Sequence, residues 1–337
     1  MKRVLKIAGI LLLAVLAAVL CYVGYVFGTY SRIEDNQELS VTHGSSGVQT
    51  AEPETDYKIL SWNIGFGAYE EDFGFFMDGG TESRAWSRER LEKNLDAIGE
   101  TAAAQDADLM LLQEVDFDSD RSYHVDEALK LRTFDGLDVS TDSVFAVNYH
   151  SAYLFYPITQ PHGASNSGLL TTSKLGIRSA VRRSLPVETG VTKLLDLDRC
   201  YSVSKIPVSN GKALCLYNLH LSAYTSDGKI ADEQLELLLS DMQAEYEAGN
   251  YVIGGGDFNK DLLEKTDMRL IAPQGKDGAV PTVRNADGPY HDGQLVLSVD
   301  GFLVSPNVEV TDSEVVSTGF AYSDHNPICM SVTLLAQ

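Results

Sequence analysis

The chain has 337 residues, 44% hydrophobic and 22% charged, enough to bury a sizeable core in one large domain or two ordinary ones. Its formal net charge is −22, from 48 acidic against 26 basic residues. Such a surface argues against coating a polyanion over a broad area, while a local basic rim can still hold one phosphate.

Lys2, Arg3 and Lys6 precede an uncharged apolar run from Ile7 to Phe27, and about 20 helical residues cross a bilayer. Ala17-Ala18 offers a cleavage site, but the run continues through Val19-Leu20-Cys21. Residues 1–29 therefore read as an uncleaved signal anchor, with secretion after cleavage as the alternative. The basic flank predicts a single-pass protein of the cell membrane, its N terminus cytoplasmic and the rest extracellular. Residues 30–56 turn to Glu, Asp, Ser, Thr and Gly, the composition of a polar tether that holds the domain of residues 57–335 off the membrane.

Tyr57–Asn63 and Asp108–Glu114 read as buried strands, and Ser83–Gln105 as a helix with Trp86, Leu91, Leu95 and Ile98 on one stripe. A shorter helix is expected over Asp126–Leu131. Strands are expected at 143–149, 167–172 and 177–183. Two more, 199–206 and 212–220, flank Asn210-Gly211 as a two-residue hairpin. An amphipathic helix over 232–247 precedes a strand ending in Gly254-Gly255-Gly256-Asp257, and residues 267–294 read as a long polar loop. Strands at 297–304, 308–315 and 327–334 close the chain. Cys21 lies in the anchor and Cys200, Cys215 and Cys329 are odd in number, so no functional disulfide is expected. Strands outnumber helices, and hairpins mix with strand–helix–strand crossovers. The pattern predicts one α/β domain of two mixed β-sheets packed face to face, with helices on the outer faces.

Several of these apolar strands stop at a residue that can do chemistry: Asn63, Glu114, His220, Asp257 with Asn259, and Asp300; Asp324-His325 precedes the last strand. Taken singly, each has a plain structural reading: a turn Asn, a helix cap, a strand-end Asp, a satisfied core His. Together they supply carboxylates, amides and two imidazoles where buried strands end. Mg²⁺ takes hard oxygen ligands, often one or two carboxylates plus substrate phosphate. A carboxylate such as Glu114 suits a direct ligand. The imidazoles can offset charge that grows on phosphoryl oxygens. No hydroxyl or thiol nucleophile motif is present, which leaves attack by water.

Ser61-Trp62-Asn63, Leu112-Gln113-Glu114-Val115-Asp116, Asn218-Leu219-His220, Gly256-Asp257-Phe258-Asn259, Val299-Asp300-Gly301-Phe302 and Ser323-Asp324-His325-Asn326-Pro327 resemble the ordered motifs of the endonuclease/exonuclease/phosphatase superfamily, over about residues 57–335. The resemblance implies a deoxyribonuclease I-like, four-layer α/β sandwich in a membrane-anchored member. It implies Glu114 as the principal Mg²⁺ ligand (Mn²⁺ as substitute), with Asn63 beside it and Asp324 as a metal-side carboxylate. Asp257 would align or deprotonate the attacking water, and Asn259 would hold that water and a phosphate oxygen. His325, oriented by Asp300, would bind the phosphoryl oxygens, and His220 would contact phosphate or the leaving oxygen. Arg284, in Pro281-Thr282-Val283-Arg284, and Arg121, just after the Glu114 motif, are candidates for extra substrate contacts; His124 is another for the cleft wall. Glu70-Glu71-Asp72 reads as a solvated loop, and the adjoining Phe73, Phe75 and Phe76 as a tip able to face lipid or a partner.

The function expected is a Mg²⁺-dependent phosphodiesterase acting on nucleic acid, phospholipid or sphingomyelin. A phosphomonoesterase on a small or lipid-derived phosphate, or a catalytically inactive module that binds a phosphorylated ligand, are the alternatives. The membrane is met through the N-terminal helix, and no protein partner is implied.

Overall fold

The computed structural model describes residues 1–45, 49–137, 141–189, 193, 198–223, 228–262, 270–271, 280–291 and 293–336. The chain runs α1 (Lys2–Thr29), β1 (Gln37–Leu39), β2 (Val41–Thr42), β3 (Asp56–Asn63), α2 (Arg88–Ala104), β4 (Leu109–Asp116), α3 (Glu127–Arg132), β5 (Asp142–His150), β6 (Asn166–Ser173) and β7 (Ser179–Ser184). It continues through β8 (Cys200–Pro207), β9 (Ala213–His220), α4 (Lys229–Glu247), β10 (Tyr251–Asp257), β11 (Leu270–Ile271), β12 (Val283–Arg284) and β13 (Val296–Leu297). It ends with β14 (Asp300–Val304), β15 (Val308–Val315) and β16 (Ile328–Leu334).

Two seven-stranded mixed sheets result, in the orders β1-β7-β8-β9-β10-β14-β11 and β15-β16-β3-β4-β6-β5-β2. Successive side chains of a strand point to opposite faces, and β4 shows the consequence. Leu109 and Leu111 join Ile59, Leu216, Ile253 and Phe302 in the core between the sheets. Met110 and Leu112 instead pack with Leu91, Leu95 and Ile98 of α2. On the far side, Leu238 and Met242 of α4 cover Cys215, Tyr217 and Leu219 of β9. The layers are helix, sheet, sheet, helix, as expected. Each sheet carries one parallel pair, β3 with β4 and β9 with β10. Their carboxyl ends are where the chemistry-bearing side chains stand.

Several local expectations change. Residues 37–42 do not hang free: β1 pairs with β7 and β2 with β5, adding one edge strand to each sheet. The stretch expected as a tether thus clips the chain after α1 onto the body of the domain. Helix α2 begins only after Ser87, whose side chain accepts from the Arg90 amide, so Trp86 lies outside its apolar stripe and is 38% exposed. The hairpin at Asn210-Gly211 is longer than two residues, with Pro207 opposite Ala213 and Lys205 opposite Cys215. The strand expected over 297–304 is two pieces, broken at Ser298 and Val299. In the expected loop over 267–294, β11 and β12 are short strands, while residues 267–269, 272–279 and 292 lie outside the described residues. Cys200, Cys215 and Cys329 are buried thiols that form no disulfide.

Candidate active site

The centre is built on β3, β4, β9 and β10. Asp257 is in register with His220 on one side of β10 and with Asp300 on the other. That arrangement requires Gly256, where a Cβ would stand 2.0 Å from the Leu219 carbonyl oxygen; no other residue lets β9 and β10 close there. Glu114 leaves the ladder at a bulge between Leu112 and Val115, with a left-handed φ of 51°. A regular strand would send residue 114 to the helix side; the bulge turns it toward the cleft. Beneath it, buried Gln113 donates from Nε2 to Asn218 Oδ1 at 2.8 Å and ties the two sheets together.

One amide organises the floor. Asn63 Oδ1 accepts from the Gly65 amide at 3.0 Å, which turns its nitrogen toward the carboxylates. That nitrogen donates to Glu114 Oε1 and to Asp257 Oδ2, both at 3.1 Å. His220 Nε2 lies 3.5 Å from Asp257 Oδ2 and 3.9 Å from Glu114 Oε1. His325 Nε2 is 3.7 Å from Asp257 Oδ2, and its Nδ1 donates to Asp300 Oδ2 at 2.9 Å. The main chain of His325 is held as well, since its carbonyl accepts from Trp62 Nε1 at 2.9 Å. Asp257 Oδ1 accepts from the Asn259 amide at 2.8 Å. Asp324 stands beside Gly65, its Oδ1 3.0 Å from where a Cβ on that glycine would be. The eight residues Asn63, Glu114, His220, Asp257, Asn259, Asp300, Asp324 and His325 are thus brought together.

Burial divides the titrations. It raises Asp257 to about 6 and Asp324 to about 7. For His325, burial opposes the charge, but Asp300 and Asp324 beside it win and raise it well above the ordinary histidine value. Burial, helped by Arg199 and His325, drops His220 well below it. The site therefore holds one imidazolium and one neutral imidazole. Asp257, Asp300 and His325 offer ligand atoms within 4.8 Å of one another, but Asp300 is engaged by His325 Nδ1. Glu114 and Asp257 converge on a single amide, and among the described residues neither makes an ion pair with a Lys or Arg. Two hard-oxygen carboxylates so placed fit a small divalent cation.

Several expectations read differently. Arg121 is buried in a bidentate pair with Asp116, at 2.8 and 2.9 Å, with its guanidinium 3.9 Å over the Phe66 ring. It lines the cleft, yet it braces the wall. Arg284 is 1% exposed and gives Nη1 and Nη2 to the carbonyls of Asn285, Gly288, Glu70 and Phe73. It fastens two loops, and only its Nε is left without a partner. Asn259 commits one Nδ2 hydrogen to the Leu221 carbonyl at 2.8 Å, which leaves its oxygen and its second amide hydrogen for a water or a phosphate oxygen. His124 sits on the surface against Asp118 and Asp120. Phe73 and Phe75 are buried in the core under α2 and do not form a tip, while Glu70 and Asp72 both pair with Arg90.

The cleft over this floor has a volume of about 290 Å³. Its walls include Asn148, Ser167 and Arg199, which carry no sequence signal beyond lying in or beside strands. Asn148 Nδ2 and Ser167 Oγ are buried without a hydrogen-bond partner, as expected of groups that meet a ligand. Met77, Leu295 and Leu297 line the mouth and are at least 36% exposed.

The family model described as Endonuclease/Exonuclease/phosphatase family matches residues 60–325. Among solved structures, the endonuclease/exonuclease/phosphatase from Beutenbergia cavernae aligns with a TM-score of 0.58 at 19% identity, over 83% of this chain and 72% of that one. The human nocturnin catalytic domain with bound sulfate anion aligns at 0.54 and 16%, over 88% and 96%. ANGEL2, a 2',3'-cyclic phosphatase, aligns at 0.56 and 15%, over 87% and 100%. At these identities the likeness shows the fold. A curated relative, 3-methyl-2-oxobutanoate hydroxymethyltransferase of Citrifermentans bemidjiense, is 27% identical over 149 residues, 44% of this chain. The chain spans half the length of that relative.

Proposed function

The chain belongs to the endonuclease/exonuclease/phosphatase family, and on that premise we propose that it is a Mg²⁺-dependent phosphodiesterase, tethered by α1 to the outer side of the cell membrane. The observation that carries the reading is the meeting of Glu114 and Asp257 on the Asn63 amide, flanked by His220 and His325. Glu114 would hold the cation, with Asp324 on the Gly65 side, and Asn63, whose amide nitrogen rather than its oxygen faces the carboxylates, would steady Glu114 instead of serving as a ligand. When bound, the cation, Mg²⁺ or Mn²⁺, would supply Lewis-acid stabilisation of phosphoryl charge and make the attacking water more acidic. Asp257 receives the water's proton: burial raises it to about 6, which makes it a stronger base than an exposed aspartate while leaving it ionised at neutral pH. His325, kept cationic by Asp300 and Asp324, donates from Nε2 to a phosphoryl oxygen as its charge grows. His220 stays neutral and hydrogen-bonds the phosphate or leaving oxygen without adding charge. Asn259 accepts from the attacking water through its oxygen.

An apolar mouth over a polar floor favours an amphiphilic phosphodiester, of the phospholipid or sphingomyelin kind, over a long nucleic acid. Arg121 and Arg284, two of the three arginines that line the cleft, are engaged within the protein. The test offers the protein DNA, RNA, sphingomyelin, glycerophospholipid and inositol phosphates, with Mg²⁺ or with chelator. Metal-dependent loss of a phosphodiester lipid is expected. Consumption of monoesters alone, of nucleic acid alone, or turnover unaffected by chelator overturns the reading.

A further inference from the structure

We propose that the loop Tyr153–Ile158 is a membrane-docking surface, seated in the headgroup layer beside α1, and that it holds the cleft mouth against the bilayer. Among the described residues, α1 is the one helix long and apolar enough to cross a membrane. The domain grips this helix below its outer end. Tyr22 Oη donates to the Tyr153 carbonyl and accepts from the Phe155 amide, both at 3.2 Å. The Tyr22 and Phe155 rings meet edge to face at 5.3 Å.

Depth follows from helix geometry. Tyr22 lies five residues before Phe27, the last large apolar residue of α1, or about 8 Å along the axis at 1.5 Å per residue. If α1 spans the bilayer, a loop bonded at Tyr22 lies at the level of the headgroups and the first methylenes. Its composition suits that layer. Phe155, Tyr156 and Ile158 are 57%, 67% and 87% exposed, an apolar and aromatic group that is costly in water and favoured at the interface. Tyr22 and Tyr25 of α1 continue the same aromatic belt. Just beyond, the Lys193 ammonium stands 4.2 Å over the Tyr30 ring, at the level where lipid phosphates are met.

The loop also reaches the active site. Tyr156 contacts Phe76 at 5.7 Å between ring centroids, Phe76 contacts His162 at 5.8 Å, and His162 lines the cleft. Docking therefore fixes the mouth beside the leaflet surface. The occupant is lipid because the loop is continuous with a membrane-spanning helix.

The experiment uses the full chain in phospholipid vesicles, with Ile158→Trp at the most exposed position of the loop. The unsubstituted chain supplies the background of Trp62 and Trp86. Alkaline carbonate extraction reports the anchor, and quenching by lipids brominated near the glycerol end of the acyl chains reports the loop. Retention on vesicles with loss of most of the added emission is expected. Retention without quenching overturns the docking and leaves the anchor standing, the result also expected if the loop met a protein instead. Release from the vesicles overturns both, while metal-dependent hydrolysis of a soluble aryl phosphodiester would still report the reaction separately.

Discussion

The floor of the cleft and its mouth are built on opposite principles. On the floor, polar residues are held by several partners each: the Asn63 side chain by Gly65, Glu114 and Asp257, and His325 by Asp300 through its ring and by Trp62 through its carbonyl. At the mouth and beyond it, Met77, Leu295, Phe155 and Ile158 stand in solvent. The floor sits at the ends of paired strands, where position is set to a fraction of an ångström by the ladder. The mouth is carried on loops and a two-stranded ribbon. Chemistry that depends on charge placement needs the first kind of construction. Meeting a fluid, apolar surface needs only the second.

The sharpest way to break this contrast is to remove the floor's proton acceptor or its cation. Asp257→Ala and His325→Ala should each lower kcat by about three orders of magnitude or more, the joint worth of a general base or an electrostatic anchor. Thermal melts of Asp257→Ala should stay close to the parent, because it removes one of several crowded buried carboxylates, whereas His325→Ala also strips Asp300 of its partner and should melt lower. Near-parental kcat in either variant would mean that the floor is structural.

Backbone placement comes next in size. Gly256→Ala forces a Cβ to within 2.0 Å of the Leu219 carbonyl, a backbone clash that overpacking data put at about 3 kcal/mol or more. Urea titration should register that loss, and kcat should fall with it as β9 and β10 part. Gly288→Ala, where a Cβ meets nothing within 4 Å, should change neither. Equal effects at the two glycines would erase the distinction between a rigid floor and a tolerant periphery.

Where floor meets mouth, His162 gives a pH signature. Its Nδ1 donates to the Ser83 carbonyl at 2.8 Å and its Nε2 accepts from the Ser165 hydroxyl at 3.2 Å; burial lowers it to about 4. Above about 6.5 the ring is neutral whether folded or unfolded. As pH falls below that value the unfolded chain takes up the proton and the folded chain does not. The contribution of His162 to stability should therefore drop by up to about 1.4 kcal/mol per pH unit between about 6.5 and 4, a total near 3 kcal/mol. Because the raised carboxyls of Asp257 and Asp324 act with the opposite sign in the same range, the slope is read as the difference between parent and His162→Gln in denaturant melts, where those two groups cancel.

The same contrast governs what was legible in the sequence. Asn63, Glu114, His220 and Asp257 announce themselves because apolar strands end on them, and strand ends are readable from alternation and glycine. The layers followed from the same signal. Arg121 and Arg284 are hard to read because an arginine near a motif looks alike whether it faces a phosphate or an internal partner. Only packing shows Asp116 on one and four carbonyls on the other. The phenylalanines near residue 75 looked like a lipid-facing tip and are mostly core. The exposed apolar loop at 153–158 has no periodicity to mark it. Nor does composition reveal that residues 37–42 pair with both sheets, since the two short strands are polar and gain their hydrogen bonds from edges built far away in the chain.

The smallest expected effect lies at the mouth, and it separates binding from chemistry. Leu295 is 62% exposed on the cleft wall, so a bound acyl chain would bury only part of it. Full burial of such a side chain is worth about 1.5–3 kcal/mol, and burial of part of it about 1 kcal/mol. Leu295→Asp withdraws that contact and adds a charge that the chain must desolvate. KM for a short-chain phospholipid should therefore rise by about five- to tenfold. The value of kcat should hold, because the transition state keeps every contact with Asp257, His325 and the cation that the ground state lacks. On a soluble aryl phosphodiester, which leaves the mouth empty, both constants should match the parent. A fall in kcat on both substrates would place Leu295 in the support of the floor, and the division between a polar, ordered floor and an apolar mouth would then have been drawn in the wrong place.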